Sequence, residues 1–172
     1  MLNKLKRAAL GAHTPHDKAT AASKPIPMPL PAQVRILMSQ HIGAPAKALV
    51  KKALTEMGYT PQDCGRCGVL ALAGGKRPGK TILLRGDMDA LPIQEESGEE
   101  FASEVPGKMH GCGHDMHTAM MLGAAKLLKE HEDKIEGTIK LEFQPAEEIF
   151  QGSLDMLKNG LLRSEEHTSE LQ

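Results

Sequence analysis

Thr81-Ile82-Leu83-Leu84-Arg85-Gly86-Asp87-Met88-Asp89 runs from a continuous apolar stretch straight into a charged turn. The turn residues Gly74-Gly75-Lys76-Arg77-Pro78-Gly79 precede it. Thr81 to Leu84 reads as a strand buried on both faces, the kind found in sheets covered by helices. The charged residues then lie at the strand's carboxyl end, where open α/β sheets bind ligands.

Working outward, Ala46 to Met57 puts Leu49, Val50, Ala53, Leu54 and Met57 on one helical stripe, with Gly58 as the expected C-terminal cap. Gly68 to Ala73 is a short apolar strand. Met116 to Glu130 is a second helix, with Met120, Met121, Ala124, Leu127 and Leu128 expected on the core side. Thr138 to Phe143 alternates, with Ile139, Leu141 and Phe143 on one face, and Pro145 stops it. Gly152 to Leu161 supplies a last helix. Strands separated by helices indicate an α/β fold with a mainly parallel sheet.

The 172 residues suit one domain, and 40% hydrophobic with 25% charged residues suits a soluble globular class. Aromatics make up only 2%, so the core must be aliphatic, and ten Met make it adaptable. A formal net charge of -1 gives no motive for binding nucleic acid or an anionic membrane. No apolar run approaches the roughly 18 residues of a membrane span. Lys4, Lys6 and Arg7 are followed only by Ala8-Ala9-Leu10, too short for a secretory signal. Three Cys make a poor disulfide framework, and a reducing cytoplasm fits them better.

The densest chemistry lies in Met109-His110-Gly111-Cys112-Gly113-His114-Asp115-Met116-His117. Cys and His are favoured ligands of zinc-like ions. Cys112 and His114, two apart in an extended segment, point the same way. Asp115 is the expected N-cap of the following helix, whose positive end would favour the Cys112 thiolate. Gln144-Pro145-Ala146-Glu147-Glu148 follows a strand with adjacent carboxylates, one able to bind metal while the other handles a proton. Asp87 could orient a metal-bound His through its second ring nitrogen.

Rival motifs fail. His131-Glu132 has Ile135 where a zincin needs its second His. Cys64-Gly65-Arg66-Cys67 lies upstream of the His cluster, without the preceding Pro of a nucleobase deaminase, and without a matching second pair it reads as a loop entering a strand, with a lone zinc or redox pair as the alternative. Three Cys do not supply iron–sulfur spacing either.

Leu84 to Ile93, Met109 to Thr118 and Phe143 to Glu148, in that order, resemble the bacterial metallo-amidohydrolases, such as hippurate hydrolase, auxin-conjugate hydrolase and N-acetyldiaminopimelate deacetylase, within the carboxypeptidase and aminoacylase clan. The resemblance covers about residues 46–162. It implies a metallopeptidase-like catalytic domain with two divalent ions (Mn, Zn, Co or Ni). Cys112, His114 and Glu148 would be ligands, with Cys112 shared by the two ions. Glu147 would be the general base, and Asp87 the catalytic residue of the first motif. The implied reaction cleaves the amide of small N-acyl amino acids or peptides, in a family whose full-length members can form homo-oligomers. Members run to more than twice this length, with a lid domain and two further His ligands downstream of the Glu pair. His167, the only later His, is not assigned. The chain is therefore expected to be a truncated, inactive and poorly soluble part of such an enzyme.

The flanks read differently. Pro25, Pro27, Pro29 and Pro31 impose an extended, polyproline-like path, and Val34 to Ile42 reads as a strand. Residues 11–50 resemble the N-terminus of the RnfC component of the Rnf ion-translocating electron-transport complex. Arg163 to Gln172 is polar without apolar period and resembles a translated sequencing adapter. The expected division is 1–45, 46–162 and an unstructured 163–172, consistent with a chimeric translation.

Overall fold

The computed structural model describes residues 44–99 and 102–163. The proline segment, the expected strand Val34 to Ile42 and residues 164–172 lie outside the described residues. The helices are α1 (Ala44–Glu56), α2 (His114–Glu130) and α3 (Gln151–Lys158), and the strands are β1 (Gln62–Cys64), β2 (Gly68–Gly74), β3 (Thr81–Asp87) and β4 (Thr138–Gln144).

α1 carries Pro45 in its first turn, where a missing N–H costs nothing. It closes as expected at Gly58, whose φ is +87°. The Gly58 N–H donates to Thr55 O and the Tyr59 N–H to Leu54 O, a Schellman pair that satisfies two helix-end carbonyls. Val50 and Leu54 are fully buried.

The sheet order is β1-β2-β4-β3. β1 and β2 pair antiparallel, as do β2 and β4, and only β3 with β4 is parallel. The α/β class stands, but among the described strands the sheet is mixed rather than mainly parallel. The reason lies in the connections. Gly65-Arg66-Cys67 is too short for anything but a hairpin, whereas α2 carries the chain over from β3 to β4 for a parallel return. α1 and α2 cover the face formed by Val69, Ala71, Ala73, Leu141 and Phe143. On β4's other face Lys140, Glu142 and Gln144 are buried as well. The Lys140 ammonium there donates to the carbonyls of Leu161 and Arg163, tying the segment after α3 across the sheet.

Two expectations about burial are corrected. β3 is not buried on both faces: among the described strands it is one of the two at the sheet's edges, and Ile82 and Leu83 are 55% and 37% exposed. α2 begins at His114 and buries Thr118, Met121, Leu122 and Ala125, while Met120 and Leu127 lie open to solvent. The helix's rotation is set by its contact with β3. The Thr118 hydroxyl donates to Asp87 O at 3.0 Å. Gly86 has no side chain to hold Met121 away; a Cβ there would lie 2.3 Å from Met121 Cγ. Among the described residues no helix is long and apolar enough to cross a membrane.

Candidate metal centre

Three segments meet at one end of the sheet: the exit of β3, the start of α2 and the turn after β4. Parallel pairing sets Asp87 opposite Gln144, and the Met88 N–H extends that ladder to Gln144 O. Residues leaving β3 and β4 are thereby brought side by side.

His114 is 3% exposed, and its Nδ1 lies 3.1 Å from Asp89 Oδ1 and 3.2 Å from Asp89 O. The other ring nitrogen, Nε2, faces Glu148 Oε1 at 3.9 Å. One ligand atom each from Cys112, His114 and Glu148 falls within a 4.8 Å cluster. A thiol, an imidazole nitrogen whose partner nitrogen is already engaged, and a carboxylate together fit a zinc-like divalent ion.

The expected N-cap is corrected. Gly113, with φ +78°, precedes α2 and makes no side-chain cap, while Asp115 sits buried in the first turn. At Cys112 neighbouring carboxylates oppose the effect of the helix end. The Cys112 thiol is pushed up, first by its hydrogen bond to Glu148 and then by partial desolvation and the charges of Glu148, Glu147 and Asp89. Three neighbouring carboxylates outweigh the partial charge of a helix end.

Asp87 is brought to the site but engages a different histidine. Its Oδ2 lies 3.2 Å from His117 Nδ1, and its Oδ1 accepts from Arg85 Nε at 2.9 Å and Nη2 at 2.8 Å. Asp89, not Asp87, therefore orients His114. Asp87, His114 and His117 form a second cluster with ligand atoms within 4.8 Å. Sequence alone assigned no role to Asp89, Arg85 or His117. A signal existed for Asp89, which lies two residues beyond Asp87 and so projects to the same side of an extended chain.

Glu147 and Glu148 sit on a 3-10 turn (Glu147–Ile149) bracketed by two left-handed non-glycine residues, Ala146 (φ 49°) and Phe150 (φ 58°). Asp89 Oδ2 accepts the Glu147 N–H at 3.1 Å, and Arg85 Nη2 lies 3.5 Å from Glu147 Oε1. Gly152 lets the turn close: a Cβ there would collide with Pro145 O. Opposite Arg85 on β4, Glu142 is 2% exposed and its Oε1 has no hydrogen-bond partner among the described residues. Burial pushes its carboxyl up, and Arg85 opposes that shift. Cys64 and Cys67 are free thiols and belong to neither cluster.

Residues 83–170 match the pattern of peptidase family M20/M25/M40. The N-acetyl-L-cysteine deacetylase of Bacillus subtilis is 47% identical over 116 residues, covering 67% of this chain and 28% of that protein. The IAA-amino acid hydrolase ILR1-like 5 of Arabidopsis thaliana is 49% identical over 118 residues, covering 67% of this chain and 27% of that protein. A solved dinuclear metal-binding M20 peptidase from Bacillus subtilis superposes with a TM-score of 0.71 at 38% identity, over 76% of this chain and 38% of its own. The chain thus spans under a third of the length of these curated relatives. Residues 6–55 match the RnfC barrel sandwich hybrid domain.

Proposed function

We propose, for a chain that belongs to peptidase family M20/M25/M40, that it carries one half of a dinuclear metal site hydrolysing the amide bond of small N-acyl amino acids or peptides. The supporting observation is the cluster of Cys112, His114 and Glu148, with His114 turned by Asp89 so that Nε2 faces Glu148. These three side chains would hold the ions. When bound, divalent ions polarise the scissile carbonyl. Glu147 stands beside the ligands as a 29%-exposed carboxylate able to take a proton from water and return it to the leaving amine. Asp87 is given the role of holding the His117 ring next to His114.

Among the described residues this cluster supplies three protein ligands, enough for one catalytic ion with its water but not for two, so we propose that this chain alone does not turn substrate over. We assign it to the cytoplasm on its unpaired thiols, and homo-oligomers to the longer enzyme. The test is elemental analysis of the purified chain. Near-stoichiometric divalent metal that Cys112→Ala removes supports the half-site; metal-free wild-type protein overturns it. Release of amine from an N-acetyl amino acid by this chain would overturn the claim of inactivity.

A second reading is favoured by the match at residues 6–55. We propose that residues 1–45 and 46–162 come from unrelated genes and that 163–172 are foreign to both, against a family match that runs on to residue 170. One continuous DNA read through residues 46–52 and 162–163 in the source organism would refute it.

A further inference from the structure

We propose that Arg85 is a positioning residue that keeps Glu147 out of the metal's ligand set, and so decides which of two adjacent glutamates binds metal and which handles the proton. The inference rests on the half-site reading above. Glu147 and Glu148 are chemically identical and ride the same 3-10 turn, so composition alone gives them no division of labour. The turn directs them to different partners. Glu148 Oε1 faces His114 Nε2 at 3.9 Å, whereas Glu147 Oε1 faces Arg85 Nη2 at 3.5 Å.

Arg85 is itself held in place. Asp87 Oδ1 accepts from both Nε and Nη2, which fixes the plane of the guanidinium. A lysine, with one compact ammonium, cannot hold Asp87 by two N–H groups and still present a donor to Glu147 in a set direction. Asp89 secures the other end by accepting the Glu147 backbone N–H, so the turn cannot rotate to exchange the two side chains. Three carboxylates surround this single cation: Asp87, Glu147 and, paired across the sheet, Glu142. Asp87 and Glu142 are buried in the sheet, and Glu147 alone sits on a turn. With Arg85 gone, Glu147 is the group free to swing to the next positive charge, the bound ion.

The test is the visible spectrum of the Co2+-loaded chain, whose d–d bands weaken as ligands are added. Arg85→Met is expected to shift the d–d bands and to bind Co2+ more tightly, because a further carboxylate joins the ligands. Glu147→Gln alone should leave the wild-type spectrum unchanged, and Arg85→Met with Glu147→Gln should restore it. If Arg85→Met does not fold, Arg85→Lys is expected to shift the spectrum in the same direction. An Arg85→Met spectrum identical to wild type, a Glu147→Gln change in the wild-type background, or a double variant that fails to restore it overturns this proposal alone. A wild-type chain that binds no Co2+ overturns the half-site reading and this proposal with it.

Discussion

Asp89 Oδ1 lies 3.1 Å from Nδ1 of the buried His114 ring, and the same carboxylate's Oδ2 accepts the Glu147 N–H at 3.1 Å. One side chain from the exit of β3 therefore fixes groups from the other two segments of the site. Asp89→Asn removes the charge that holds the imidazole and should weaken metal affinity about 10- to 100-fold with little change in unfolding midpoint. Titration with Zn2+ or Co2+ against a competing chelator checks it; unchanged affinity would remove Asp89 from the site.

Gly86 is where α2 touches β3. Gly86→Ala places a Cβ 2.3 Å from Met121 Cγ, and the helix must move. The expected cost is about 2 kcal/mol in urea unfolding, in line with other overpacked contacts. Metal affinity should fall with it, because the same helix carries His114.

Ala146 holds a left-handed backbone at φ 49°, ψ 45°, which costs an alanine about 1 kcal/mol and a glycine almost nothing. Ala146→Gly should raise the denaturant midpoint, after part of that gain is offset by the unfolded glycine's extra freedom. A lowered midpoint would show that the turn is not strained there.

Glu142 ties stability to pH. Burial raises its folded-state carboxyl above the ordinary value, so between the two values the native state holds more protons than the unfolded chain. Stability should then fall as pH rises through that window, and the loss should be complete above the folded value. Glu142→Gln should flatten this slope. Urea unfolding of both proteins from pH 4 upward checks the sign; a slope kept in Glu142→Gln would place its origin elsewhere.

Among the described strands β3 has a partner on one side only, and Ile82 and Leu83 are exposed on it. An open apolar edge invites pairing with another chain. Association that rises with protein concentration and drops in Leu83→Lys is expected in light scattering. A monodisperse wild-type sample would count against it.

Local signals carried much of the fold. The stripe from Leu49 to Leu54 and the stop at Gly58 belong to neighbours in sequence, as does the alternation of Ile139, Leu141 and Phe143, and each appears where it was expected. Strand direction was not local, because it depends on which strands pair. The apolar run at Thr81–Leu84 misled for the same reason: burial of a strand depends on what lies beside and over it, and β3 lies at the edge.

By itself the sequence determined the donor types of the candidate site, Cys112, His114 and Glu148, and the family that those motifs resemble. A ligand's identity is covalent and cannot change on folding. The tertiary structure alone decided that Asp89 rather than Asp87 turns His114, that Asp87 serves His117, and that Arg85 lies between Asp87 and Glu147. Those pairings join residues 25 to 62 positions apart, apart from the local Arg85–Asp87 bond, and distances of 3 to 4 Å between such residues exist only once β3, β4 and α2 have packed.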